Sequence, residues 1–133
     1  MNDDALREFL KTVKSIAIVG LSSNPMRASH GVAQYLQSRG FKIYPVNPNE
    51  TKVLGEPAVA ELESVDDAID IVDVFRRPKF VPQIAESAIR KGARCLWLQQ
   101  GIVHPEAERK AEEAGLLVVS DRCLYREHRR LAG

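Results

Sequence analysis

Apolar positions follow two alternating rhythms along these 133 residues. Ala5, Leu6, Phe9, Leu10 and Val13 recur at helical spacing behind Asp3 and Asp4, which predicts an amphipathic helix with an acidic start. Residues 15–20, Ser-Ile-Ala-Ile-Val-Gly, form instead a continuous run rich in β-branched side chains, as expected of a strand buried on both faces. The alternation then repeats. A helix is expected over 30–39, stopped by Gly40, and a strand over 41–46, ended by the sequence Pro45-Val46-Asn47-Pro48. A third strand is read at 71–75, a helix at 81–91 with Gly92 behind it, and a fourth strand at 95–98. Pro105 opens another helix that Gly115 closes, 116–119 is the fifth strand, and 124–131 reads as a short basic helix. Residues 49–68 are less regular, with a short extra strand expected at 53–55 and a short helix at 65–69.

Strands separated by helices of ten to fifteen residues imply right-handed crossovers. The fold class that follows is α/β, a Rossmann-like, doubly wound, mainly parallel sheet of five or six strands with helices on both faces. A length of 133 residues fits a single domain over 1–133 and leaves little room for a separate catalytic domain.

Charge changes the picture locally. The formal net charge of +1 argues against a general nucleic-acid binder. Residues 50–73, however, hold eight acids against one lysine, whereas 76–94 hold six bases against Glu86, so the sign reverses at one strand end. The two stretches are either solvated faces or a functional basic rim. Cys95 and Cys123 have no metal-ligand spacing, and His30, His104 and His128 are scattered, so no metal site is expected and surface or capping roles suit the histidines. The chain has no apolar stretch of membrane-spanning length, its start Met-Asn-Asp-Asp is unlike a secretory signal, and a cytoplasmic location with reduced thiols is expected.

Ligands of doubly wound sheets bind beyond the carboxyl ends of the strands. Gly20-Leu21-Ser22-Ser23-Asn24-Pro25 follows the first strand, with Gly20 for a tight turn, Ser22 and Ser23 as hydroxyl and backbone donors for a phosphate, and a helix start behind them. It lacks the second and third glycines of the dinucleotide fingerprint. Val46, Asn47 and Pro48 stand where an NAD site would place an acid, which argues against plain NAD; the segment is either a strand-ending turn or a neutral contact to a nucleotide. Phe75-Arg76-Arg77-Pro78-Lys79 joins an aromatic face to three cations, suited to a base and its phosphates, or else a core residue beside solvated charges. Cys123 lies beside Arg122, yet no base and orienting group identify it as a nucleophile.

The segments Ile-Ala-Ile-Val-Gly-Leu-Ser-Ser-Asn-Pro (16–25), Val-Asn-Pro (46–48), Val-Asp-Val-Phe-Arg (72–76), Leu-Trp-Leu-Gln-Gln-Gly (96–101) and Asp-Arg-Cys (121–123) together resemble the small bacterial CoA-binding protein family. That family is similar to the CoA-binding Rossmann-like domain of the succinyl-CoA synthetase α subunit. The resemblance covers nearly the whole chain and implies CoA or acyl-CoA as ligand. By position it implies Gly20, Ser22 and Ser23 at the phosphate turn, Arg27 and Ser29 on the following helix, and Val46, Asn47 and Pro48 beside the nucleotide. Phe75 and Arg76 would run along the cleft, with Gln99 and Gly101 bordering the pantetheine path. Synthetase activity is not implied, because the phosphohistidine region and the nucleotide-grasping partner have no counterpart here. No catalytic constellation is visible, so the leading reading is a non-catalytic CoA carrier, sensor or accessory module. A small enzyme using a CoA thioester or nicotinamide cofactor, and a ligand-controlled interaction protein, remain as alternatives, and a homodimer is plausible. If Cys123 lies near the thiol of bound CoA, oxidation would join the two.

Overall fold

The computed structural model describes residues 2–133. In chain order the elements are α1 (Asp3–Thr12), β1 (Ser15–Val19), α2 (Ala28–Ser38), β2 (Lys42–Val46), the short strands β3 (Lys52–Val53) and β4 (Glu56–Pro57), and β5 (Ile71–Val74). Then follow α3 (Val81–Lys91), β6 (Cys95–Leu98), α4 (Pro105–Glu113), β7 (Leu117–Val119) and α5 (Leu124–Leu131). The five long strands form one sheet in the order β2-β1-β5-β6-β7, every neighbouring pair parallel. This is the Rossmann-like α/β arrangement, and the order reverses between β1 and β5.

Parallel strands covered on both faces need apolar side chains at every position, and these supply them. Ala17, Val19, Val72, Val74, Leu96 and Leu98 face α3 and α4, which contribute Val81, Ile84, Ala85, Ala88, Ala107 and Ala111. The alternate positions Ile16, Ile18, Ile71, Cys95 and Trp97 face α1, α2 and α5 through Leu6, Leu10, Val32, Leu36, Leu124 and Leu131. Trp97 is fully buried, and its indole N–H donates to the Arg122 carbonyl at 2.8 Å. Helix ends follow local chemistry. The Asn2 side chain accepts the Ala5 N–H at 2.8 Å, and the His104 imidazole Nδ1 accepts the Ala107 N–H at 3.1 Å ahead of Pro105. His104 is therefore a cap, one of the roles expected for it.

Two expectations need correction in the β2–β5 crossover. The extra strand expected at 53–55 is half of an antiparallel hairpin, β3–β4, apart from the main sheet, and Leu54 and Gly55 form its turn with φ of 53° and 82°. A two-residue hairpin loop of this type demands positive φ at both positions, so these residues leave the strand. The helix expected at 65–69 does not form; a single 3₁₀ turn, Leu62–Ser64, precedes it. Five residues cannot pay the nucleation cost of a helix without partners. Here the Val65 carbonyl accepts a hydrogen bond from Lys91, the Asp67 carboxylate accepts one from Tyr44 at 2.6 Å, Val65 is extended, and Val65 and Ile69 are buried.

Candidate functional site

At the β1/β5 reversal two loops meet. Gly20 has φ +92°, and a Cβ placed there would lie 2.5 Å from the Phe75 carbonyl oxygen, so only glycine lets the turn after β1 pass this close to the end of β5. The Gly20 N–H donates to the Val46 carbonyl at 2.8 Å and the Phe75 N–H to the Val19 carbonyl at 2.9 Å, which prolongs the sheet by one residue on each side.

Beyond Gly20 the turn is held from within. The Ser22 N–H donates to the buried Ser29 hydroxyl at 3.1 Å, and the Ser22 hydroxyl accepts the Asn24 N–H at 3.0 Å. The Ser23 N–H donates to a carboxylate, that of Glu50, at 2.8 Å. Arg27 is exposed at the start of α2, which has no side-chain cap and no acid in its first turn. An uncapped helix start carries unpaired N–H groups and a partial positive charge, the usual seat of an anion.

Asn47 is drawn into the scaffold. Its side-chain amide donates to the Leu21 carbonyl at 3.0 Å, and its oxygen accepts the Asn49 N–H at 2.9 Å, closing a turn that carries exposed Pro48 and brings Glu50 to Ser23. Asn47 thus joins the end of β2 to the turn after β1, and both of its amide atoms are already engaged. Gly101, with φ +85°, donates its N–H to the Asp121 carboxylate at 2.7 Å and ties the β6 loop to the β7 loop.

A cleft of about 550 Å³ opens on the α2 and α5 side of these loops. Phe75, Arg76 and Gln99, all singled out by sequence, line it together with Val32, Ile102, Cys123, Arg77 and Arg126. A second hollow of about 370 Å³ lies on the α3 side, lined by Val19, Val46, Leu62, Ser87 and Arg90 among others, and Arg76 lines both. The Arg76 guanidinium stacks over the Phe80 ring at 4.1 Å, which fixes a cation between the two hollows. The sites expected from sequence therefore divide. Phe75, Arg76 and Gln99 share the cleft, Val46 and Arg76 the second hollow, and Gly20, Ser22, Ser23 and Ser29 the turn; Gly101 braces loops outside both hollows.

Sequence reasoning passed over Phe80, Glu50 and Asp73. Asp73 is a carboxylic acid at 0% exposure in the centre of β5, and Gln99 Nε2 donates to its Oδ1 at 2.7 Å. Burial pushes its carboxyl up to about 7, against the smaller downward pull of the Gln99 hydrogen bond. A lone acid inside the apolar run Ile-Val-Asp-Val was the available signal. Cys95 is buried, and burial together with the Asp73 charge raises its thiol, whereas Cys123 is partly exposed. Among the described residues no cluster of metal-binding side chains is found, and no helix is long and apolar enough to cross a membrane.

Residues 14–129 match the family model described as CoA binding domain. The chain belongs to this CoA-binding domain family. It is 42% identical over 123 residues to the uncharacterized protein YneT of Bacillus subtilis, covering 92% of this chain and 91% of that one. The solved structure of a hypothetical protein from Pyrococcus horikoshii superposes with a TM-score of 0.97 at 42% identity, covering 100% of this chain and 94% of that one. The alpha subunit of the acetate-CoA ligase (ADP-forming) II of Pyrococcus furiosus is 28% identical over 109 residues. That match takes in 80% of this chain and 24% of the ligase subunit.

Proposed function

We propose that this chain binds CoA or acyl-CoA at the strand ends as a non-catalytic carrier, sensor or accessory module. The observation that carries the reading is the position of Arg76, stacked on Phe80 at the junction of two hollows and beside the Gly20 turn. CoA is a cluster of phosphates with an adenosine on one side and a long, mostly neutral arm on the other. A fixed guanidinium and an uncapped helix start suit the phosphates, and a cleft walled by Val32, Phe75 and Ile102 suits the arm. Membership of a CoA-binding family supports the same ligand. With Cys95 and Cys123 both free, we assign the protein to the reducing cytoplasm.

Calorimetric titration with CoA, dephospho-CoA, ATP and NAD tests this. CoA is expected to bind more tightly than dephospho-CoA. Arg76→Ala is expected to weaken CoA by roughly tenfold to a hundredfold, the worth of a charge-assisted hydrogen bond. Preference for NAD or ATP would overturn the ligand assignment, and no binding at millimolar CoA would overturn the carrier reading.

Cys123 lines the cleft through which the arm would run. Treated with CoA disulfide, its thiolate would attack one sulfur, forming a mixed disulfide and releasing one CoA thiol. Intact mass should show this adduct in the wild type and lose it in Cys123→Ser, since Cys95 is buried and its thiol is raised. Equal labelling of both proteins would remove Cys123 from the path.

A further inference from the structure

Asp73 sits between Ile18 of β1 and Trp97 of β6, in the middle of the sheet. One carboxylate oxygen, Oδ1, accepts from Gln99 Nε2 at 2.7 Å; the other, Oδ2, is buried without a hydrogen-bond partner. A buried acid normally has a cation or several donors around it, because leaving an oxygen unpaired costs stability. Gln99 is 4% exposed and lines the cleft beside Phe75 and Cys123. Its other amide atom, Oε1, has no partner in the protein and is not sealed in, which leaves it free to accept a hydrogen bond from a molecule in the cleft that Gln99 lines.

We propose that Asp73 is a positioning residue of the cleft, holding the Gln99 amide so that Oε1 accepts a hydrogen bond from an amide N–H on the arm of the ligand. The proposal rests on the CoA reading above, since the pantetheine arm carries secondary amides. Its chemical logic is a choice between donor and acceptor. An ionised Asp73 has only acceptors, so it can be satisfied only by Gln99 Nε2, and the amide oxygen must face the ligand. A protonated Asp73 can donate its own O–H to Oε1, which releases the amide to turn its NH₂ outward. A ligand N–H bound to Oε1 therefore favours the ionised form, and binding expels a proton.

The surroundings leave this choice to Gln99. Cys95 of β6, Tyr35 of α2, and Cys123, Tyr125 and His128 on or beside α5 pack on this face, and the cations Arg76, Arg77 and Arg126 line the cleft together with Gln99. No charge acts on the Asp73 carboxyl, which responds to burial and to the Gln99 hydrogen bond alone; burial and Arg39 push the His128 imidazole down. β1 presents Ile16 and Ile18, and α1 presents Leu6 and Leu10. Burial places the Asp73 proton close to neutrality, where a ligand can move it.

The test compares CoA with adenosine 3′,5′-bisphosphate, which shares the adenosine, the 3′-phosphate and the first 5′-phosphate and lacks the arm, by calorimetry at pH 6 and pH 8 in the wild type and Asp73→Asn. Between pH 6 and pH 8 the CoA affinity of the wild type should rise about fivefold more than that of Asp73→Asn, whereas the affinity of the bisphosphate should respond to pH alike in the two proteins. The free wild-type protein supplies a second reading. The side-chain NH₂ resonances of Gln99 should titrate near pH 7, and this decides the matter even if Asp73→Asn folds poorly. Flat Gln99 resonances between pH 5 and pH 9, or an undiminished pH response in Asp73→Asn, would overturn the proposal. If Gln99 titrates and CoA does not bind, the ligand half falls together with the CoA reading, and the Asp73–Gln99 coupling stands.

Discussion

A methyl group at position 20 would meet the Phe75 carbonyl oxygen at 2.5 Å and would need a left-handed φ of +92°. Both penalties act at once, and both fall on the contact between the two loops that frame the cleft. Gly20→Ala is therefore expected to cost about 2–4 kcal/mol and to abolish measurable CoA binding. Urea denaturation beside calorimetry checks it, and wild-type stability with wild-type affinity would show that the loops need not touch. Glu50 poses the opposite case. Its carboxylate holds the Ser23 N–H that a phosphate would claim, so an arriving anion must displace it and meet its charge. Glu50→Gln keeps the shape and removes the repulsion, and should tighten CoA by roughly fivefold, about 1 kcal/mol. A weaker affinity would mean that Glu50 stays and contacts the ligand. Gly20 was legible because a glycine that ends a buried strand and opens a turn marks backbone that a side chain would obstruct. Glu50 was not, since the Asn47 turn that carries it to Ser23 folds back across 27 residues of sequence separation.

Among the elements, α5 links core and cleft. It buries Leu124 and Leu131 against the face that holds Trp97, and it follows Cys123 and carries Arg126 into the cleft wall. Leu124→Ala deletes a fully buried side chain and should destabilise by about 2–4 kcal/mol, read as a lower urea midpoint at unchanged slope. A cost under about 1 kcal/mol would mean that α5 is loosely docked. The bounds of α3 and β6 agree with the periodicity because strong apolar patterns there meet a clear stop at Gly92, and α5 has its expected bounds on a weaker pattern. The hairpin and the segment 65–69 were misread because they are too short for period to decide. Partners distant in sequence, Lys91 and Tyr44, take up backbone and side chain there.

At the scale of the whole molecule, Asp73 makes the stability of the sheet depend on pH. The unfolded chain ionises this carboxyl near 3.8, whereas the native chain keeps it protonated up to about 7. The native state thus binds more protons at this group throughout that window, and the Asp73 contribution to stability is full below pH 4 and is lost as pH rises to 7, about 4 kcal/mol in all. Asp73→Asn removes the loss, so its advantage over the wild type should be larger at pH 8 than at pH 5. Urea midpoints at the two values measure it, and an equal difference at both would place the Asp73 carboxyl near its ordinary value in the folded protein.

The sequence alone determined the five long strands and the five helices, that the sheet is parallel and covered on both faces, and which strand ends a ligand site is expected at. Those properties follow from local backbone chemistry and from side-chain periods of two and 3.6 residues, which neighbouring positions spell out. Tertiary structure alone decided that Asn47 and Ser29 serve the scaffold, that a carboxylate occupies the Ser23 amide, that Arg76 stands between two hollows on the Phe80 ring, and that Asp73 lies beneath Gln99. Each is a contact between residues whose approach is set by the packing of separate loops and strands, and no local pattern encodes which polar atoms will then be left to find one another.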